Sequence, residues 1–289
     1  MRQFFEWFWR AVGLTAALGI PENETFQGFS QYFWRTWLAE GKATEAMLIF
    51  AGGLLLLVVI PYLLGSINGA IVISRGVFHD DIRNHGSGNA GLTNMGRVFG
   101  KKGALLTFAI DFAKQFLSVL LGIVLWGEIG AYLAGLFCML GHIAPIYYKF
   151  KGGKGVLTAG VMILLIDYQV FLIAFGIFAI VVLISRYVSL GSVIAGFLLP
   201  FIVYLMALLR GTRPHMFALI CATVIGLMLI LMHRENIRRL MEGRENKLSF
   251  KKKAKVPETV PENGEDAPSE GTEKKPTNRN HKGNGKKKK

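Results

Sequence analysis

Long apolar runs alternate with short polar breaks along this chain. Runs such as 105–126 and 216–232 are long enough to span a bilayer's ~30 Å of hydrocarbon at ~1.5 Å per residue. Ten-residue segments of period two, the mark of a membrane β-barrel, are not evident. The pattern predicts an all-α polytopic membrane protein with about seven transmembrane helices. They fall near 43–74, 103–126, 131–148, a short 156–166, 168–185, 188–209 and 215–232. Pro61, Gly65, Ser66 and Asn68 interrupt the first, so its last turns are expected to face protein and polar groups rather than lipid. A tight turn at 127–130 joins the second span to the third. The stretch 210–214 carries helix-stopping chemistry after the sixth.

Two flanks depart from this pattern and divide the chain into three parts. Residues 1–42 mix Trp7, Trp9, Trp34 and Trp37 with Arg2, Arg10 and Arg35, a composition that favours the headgroup level. They are read as interfacial helices, with an extra crossing as the alternative. Glu6 interrupts the first apolar stretch and no small-residue cleavage site follows, so it does not read as a secretory signal. Residues 43–250 form the integral-membrane domain. Residues 251–289 are nearly free of apolar side chains and are expected to be a disordered basic tail.

Composition agrees: 52% of residues are hydrophobic and mean hydropathy is +0.40. Net charge is +14, and from Arg234 onward seventeen Lys or Arg stand against nine Asp or Glu. A basic end can bind nucleic acid. This one follows a membrane helix, so it reads instead as an inside-facing tail beside anionic lipid headgroups. Loop charge sets the orientation. Arg75, Arg83, Arg97, Lys101, Lys102, Lys149, Lys151, Lys154 and Arg186 follow spans one, three and five. Only Arg210 and Arg213 follow spans two, four and six. The positive-inside rule then puts the N-terminus outside and the C-terminus in the cytoplasm. Cys138 and Cys221 sit in apolar runs without metal-ligand spacing, so no metal is predicted.

Three polar clusters share the cytoplasmic face under this topology. The first runs from Gly86 to Gly100. Its glycines let backbone amides approach an anion, Ser87, Asn89, Thr93 and Asn94 add neutral donors, and Arg97 adds a bidentate phosphate fork. A flexible inter-helix turn would need less. The second, Lys149 to Gly155, opens a helix at Val156, and a glycine-preceded helix N-terminus is a ready anion site. It is not a nucleotide P-loop, because Gly155 rather than Ser or Thr follows Lys154. Its bland reading is a positive-inside anchor. His142 and Pro145 precede it, and His142 is either a helix-ending packer or a functional group. The third, His233 to Glu245, puts His233 and Asn236 three residues apart on one helical face. A His there suits a base or phosphate donor, and a snorkelling amphipathic helix end is the bland reading. Asp111 and Lys114, inside span two at i, i+3, are expected to pair with each other and to face the bundle interior. A transporter for a phosphorylated metabolite would use similar loops, but the internal repeats typical of that class are not seen.

At these residues the chain resembles the bacterial acyl-phosphate–glycerol-3-phosphate acyltransferases of the PlsY type. Ser-Gly-Asn-x-Gly-x-Thr-Asn-x-x-Arg is Ser87 to Arg97. Phe-Lys-Gly-Gly-Lys-Gly-Val is Phe150 to Val156, preceded by Gly-His-x-x-Pro at Gly141 to Pro145. His-x-x-Asn-Ile-x-Arg-Leu is His233 to Leu240, completed by Gly243 and Glu245. The match covers roughly 43–245. Departures at Leu92, Met95, Gly96 and Leu157 concern packing.

The resemblance implies acyl transfer from acyl phosphate to the 1-hydroxyl of sn-glycerol 3-phosphate, giving lysophosphatidic acid and phosphate. It implies a bacterial plasma-membrane enzyme that needs no cofactor and is functionally coupled to the enzyme that makes acyl phosphate. Ser87, Arg97, Lys154, His233 and Asn236 would be catalytic. Gly88, Asn89, Gly91, Thr93, Asn94, His142, Gly152, Gly153, Gly155, Arg239 and Glu245 would bind substrate, with the Gly152 to Gly155 backbone on phosphate.

Overall fold

The computed structural model of the chain describes residues 40–248. The aromatic extension before them and the basic tail after them lie outside the described residues. Every regular element described is helical: α1 Ala43–Ser66, α2 Gly69–Val77, α3 Leu92–Val98, α4 Gly100–Ile143, α5 Val156–Ile166, α6 Tyr168–Ser185, α7 Val188–Leu209, α8 Met216–Met232 and α9 Arg234–Met241. Short 3₁₀ turns cover Ile82–Asn84 and Ile146–Tyr148. Four stretches of the described residues are long and apolar enough to cross a membrane, or five if the bent pair α8–α9 counts as one.

The forty-four residues of α4 do not run straight. Gly127 takes φ 59°, ψ −140°, next to an irregular Trp126, and the chain reverses there. The two arms then run antiparallel. Gln115 Nε2 donates to the Gly135 carbonyl at 3.2 Å, and Lys114 lies 3.0 Å from His142. Gly122 and Gly130 face each other so closely that a Cβ on either would strike the other's backbone. The turn expected at 127–130 is therefore present, with its reversal at Trp126–Gly127.

The first span breaks as its polar residues suggest. Pro61 stays inside α1, and the interruption comes at Ile67–Asn68, between α1 and α2. A break inside a bundle exposes carbonyls at one helix end and amides at the next start. Both are satisfied from α4. Lys114 Nζ donates to the Gly65 and Ile67 carbonyls, each at 2.9 Å. Asp111 Oδ1 accepts from Gly69 N at 3.1 Å. The cation thus meets a negative helix end and the anion a positive one. The two also pair with each other at 2.9 Å, at 4% and 2% side-chain exposure. Asn68 caps α2 by accepting from Ile71 N, and its Nδ2 donates to the Ala90 carbonyl at 3.3 Å.

Small residues allow this close approach. A Cβ at Gly141 would meet the Tyr62 carbonyl and Ser66 N, and one at Gly65 would meet the Cys138 backbone. The remaining helices pack around Met139, Met162, Ile225 and Leu229. Opposite the break, Arg210 after α7 grips Asp167 between α5 and α6 at 2.6 Å.

Gly141→Ala is expected to destabilise the fold by about 1–3 kcal/mol, the usual cost of overpacking. Gly52→Ala should be near neutral, since nothing lies within 4 Å of its Cβ position. Thermal unfolding in detergent checks this: a lower midpoint is expected for the first variant alone.

Candidate active site

Each of the three clusters is built differently. In the first, Asn94 is the organiser. Its Nδ2 donates to the carbonyls of His85 (2.9 Å), Asn89 (3.1 Å) and Ile82 (3.4 Å), while its Oδ1 accepts from Ser87 N at 3.0 Å. The side chain is buried, and its amide is spent on folding residues 82–89. Gly86 and Gly88 take φ 61° and 70° in the same loop. The loop then presents the Ser87, Asn89, Thr93 and Arg97 side chains to a cavity. Among the described residues none of these four side chains makes a hydrogen bond or ion pair.

The second cluster corrects one expectation. The amides of Gly152 and Gly153 are not available to a phosphate, because they donate to the Ile143 and His142 carbonyls at 3.1 and 3.0 Å. Both residues stand behind the cavity lining. They must be glycine because a Cβ would strike the His142 carbonyl and Pro145 at Gly152, or the His142 imidazole and the Ala90 carbonyl at Gly153. The anion-binding end lies one step further on. Gly155 takes φ 82° and opens α5. The amides of Lys154, Gly155, Val156 and Leu157 have no partner among the described residues, and all four residues line the cavity.

In the third cluster the chain bends by 55° at His233, between α8 and α9. His233 and Asn236 are 3% and 6% exposed, and both line the same cavity. His233 Nδ1 lies 2.7 Å from the Leu229 carbonyl. A carbonyl only accepts, so Nδ1 carries the proton and Nε2 keeps its lone pair. Burial lowers the imidazole pKa to about 4, with the Leu229 hydrogen bond opposing it. The ring is neutral at physiological pH.

Asn236 joins the third cluster to the second. Its Oδ1 accepts a short hydrogen bond from Lys154 Nζ, and its Nδ2 donates to Glu245 Oε1 at 2.6 Å. Glu245 also accepts from Ser189 Oγ at 2.9 Å and from Arg239 Nε at 2.8 Å. Burial alone would raise its carboxyl, but hydrogen bonds from Arg239, Asn236 and Ser189 hold it below the usual range. Arg239 is thereby neutralised. Burial brings Lys154 down to about 8, helped by Arg239 and Arg97 and opposed by Glu245. Arg97 and Lys154 are the site's uncancelled cations.

The three clusters meet at one end of a cavity of about 490 Å³. Beyond them its walls turn apolar: Phe108 and Phe112 of α4, Leu164 of α5, Phe171, Phe175 and Phe178 of α6, and Leu199 of α7. The sequence reading missed Ser189 and Ser192, which line the cavity near Glu245. A serine inside an apolar run looks like any small packing residue, so no signal marked them. Among the described residues no three His, Cys, Asp or Glu side chains converge as metal ligands.

Comparisons with known proteins follow this geometry. The family model described as Glycerol-3-phosphate acyltransferase matches residues 55–243. A glycerol-3-phosphate acyltransferase of Finegoldia magna is 43% identical over 196 residues, covering 68% of this chain and 96% of that protein. One from Aquifex aeolicus is 41% identical over 197 residues, covering 67% and 98%. The solved structure of PlsY, an integral membrane glycerol 3-phosphate acyltransferase, in its glycerol 3-phosphate form, matches with TM-score 0.61 and 39% identity, covering 68% of this chain and 96% of that one. Its lysophosphatidic acid form matches with TM-score 0.59 and 37% identity, covering 68% and 95%. The chain belongs to the glycerol-3-phosphate acyltransferase family.

Proposed function

We propose that this chain transfers a fatty acyl group from acyl phosphate to the 1-hydroxyl of sn-glycerol 3-phosphate. The products are lysophosphatidic acid and inorganic phosphate. One observation carries the reading: two uncancelled cations, a free helix N-terminus and a neutral imidazole meet where a polar pocket becomes an apolar groove. A phosphate at each reactant's head accounts for Arg97 and Lys154 together. The acyl chain fits between the aromatic faces of α4 and α6.

Acyl phosphate is already activated, so no serine or cysteine nucleophile is needed. The substrate hydroxyl oxygen attacks the acyl carbon and an ester bond forms. The bond from that carbon to the phosphate oxygen breaks, and phosphate leaves with the electron pair. The hydroxyl proton passes to His233 Nε2 or to a substrate phosphate oxygen. Arg97, Ser87 and Asn89 hold phosphate and developing negative charge. Lys154 and the amides of Gly155 and Val156 hold the glycerol phosphate. Asn236 and Glu245 aim Lys154, and holding the two anions side by side supplies much of the rate.

We assign the site to the cytoplasmic face of a bacterial plasma membrane, with seven crossings, the N-terminus outside and the C-terminus inside. Two contacts support the alternation. Arg210 meets Asp167 at one end of the bundle, and Leu248 N donates to the Arg186 carbonyl at 2.7 Å at the other. On this reading α5 carries the chain between the two faces, although its eleven residues cover only about half the hydrocarbon. The reading also implies coupling to the enzyme that makes acyl phosphate.

Purified protein given acyl phosphate and glycerol 3-phosphate should release lysophosphatidic acid and phosphate. Acyl-CoA and acyl-carrier-protein thioester should be poor donors. Equal use of a thioester overturns the donor assignment. Arg97→Ala should lower kcat/KM by about 10²–10³, the scale for losing an anion-stabilising donor, with membrane insertion intact. Gly153→Ala should raise the glycerol 3-phosphate KM, because its Cβ displaces the Lys154 loop. An unchanged KM would place that substrate elsewhere. Activity should also fall as pH rises through about 8, where Lys154 loses its proton in the empty site. A pH profile of kcat/KM reads this limb, and any active Lys154→Arg protein should move it upward.

A further inference from the structure

Among the described residues four glycines line the cavity: Gly91, Gly155, Gly160 and Gly196. Three of them have a local reason to lack a side chain. A Cβ at Gly91 would lie 2.8 Å from the Asn89 amide nitrogen, and one at Gly196 would lie 3.2 Å from Leu229. Gly155 takes φ 82°, a conformation that favours glycine. Gly160 has neither reason. It sits in the middle of α5, where glycine weakens a helix relative to alanine. The nearest atom to its Cβ position is Phe171 Cε2 at 3.7 Å, an ordinary contact distance. The packing of the protein itself therefore leaves room for a side chain here, and that room belongs to the cavity. Val156, Gly160 and Leu164 follow one another at i, i+4 and i+8 on α5, and all three line it. Gly160 is thus a notch between two branched side chains, about 6 Å along the axis from Val156. The Phe171 ring beside the notch stacks on Phe175, with centroids 5.6 Å apart.

We infer that Gly160 is a specificity-determining residue, whose notch admits the long acyl chain of the donor between α5 and the Phe171 ring. The inference rests on the acyl-phosphate reading above. The anionic heads are held at Arg97, Lys154 and the α5 N-terminus, so the chain leaves that end toward the apolar walls and meets Gly160 one helical turn later. A short chain stops before the notch. A long one must pass it to reach Phe175 and Leu199. An apolar pocket reads chain size by whether each methylene finds space, and one methylene is worth about 10–200-fold in kcat/KM. A side chain at position 160 would fill that space from α5 while leaving Arg97, Lys154 and His233 untouched. The helix thus keeps its weakest residue at the point where the substrate, rather than the protein, supplies the packing.

The test uses the full chain in detergent and a series of acyl phosphates from butanoyl to palmitoyl, assayed first without substitution. Absence of transfer from every acyl phosphate overturns the function reading and this inference with it. With transfer established, the kcat/KM for palmitoyl phosphate is divided by that for the shortest donor accepted. Gly160→Leu should lower this ratio by about tenfold or more, while the glycerol 3-phosphate KM stays within about twofold. An unchanged ratio overturns the inference alone, as does an equal loss at every chain length. Should Gly160→Leu fail to fold, Gly160→Ala decides. It adds one methyl to a helix that alanine favours, so its unfolding midpoint should be no lower, and the same ratio should fall by about twofold or more. A lowered midpoint would show that the protein itself needs the gap, and it overturns the proposal, as does an unchanged ratio.

Discussion

The fold and the site both depend on one buried ammonium. Lys114 holds the carbonyl end of α1 while its neighbour Asp111 holds the amide start of α2. The broken span would otherwise leave helix ends unsatisfied inside the bundle, where no bulk water can reach them. Removing one member of a buried pair costs about 3–5 kcal/mol, a large share of a typical domain's ~5–15 kcal/mol. The same ammonium touches His142, whose backbone carbonyl anchors Gly153 and so the Lys154 loop. Across the break, Asn68 reaches the Ala90 carbonyl in the first glycine loop. Two of the three clusters are thereby fastened to one point.

The third cluster is fastened by a different device. Asn236 holds Lys154 with a neutral amide oxygen, which aims the lysine without cancelling its charge. The carboxylate that fixes Asn236, Glu245, spends its own charge on Arg239. Away from the cavity, Asp81 serves Arg75 and Arg83, and Asp167 serves Arg210. Arg83 keeps Asp81 far below the ordinary carboxylate range by hydrogen bonding, against the opposing effect of burial. Within the cavity lining, positive charge is left uncancelled at Lys154, Arg97 and the α5 N-terminus. An anion arriving there meets donors that need no rearrangement.

Much of this was legible in the chain, and the misses have physical reasons. Hydropathy marked the spans, the reversal at Gly127 and the break after Gly65, because lipid permits few exceptions to backbone satisfaction. Local polarity marked Ser87, Asn89, Thr93, Arg97, Lys154, His233 and Asn236, and the structure brings all seven to one cavity. Gly152 and Gly153 stood in the same motifs but their amides serve the loop, while Asn94 both holds its own loop and lines the cavity. Motif membership does not say whether an amide faces a ligand or a neighbouring carbonyl. Ser189 gave no signal, since its partner Glu245 lies fifty-six residues away.

By itself the sequence determined the membrane class, the main apolar segments and which residue types could grip phosphate. Those properties follow from period, length and local chemistry, which act over a few neighbouring residues. Only the tertiary structure decided which cations stay uncancelled, which amides stay free and which nitrogen of His233 holds its proton. The Lys154 contact to Asn236 and the Ser189 contact to Glu245 join segments far apart in the chain, and hydropathy or local spacing carries no record of such pairings.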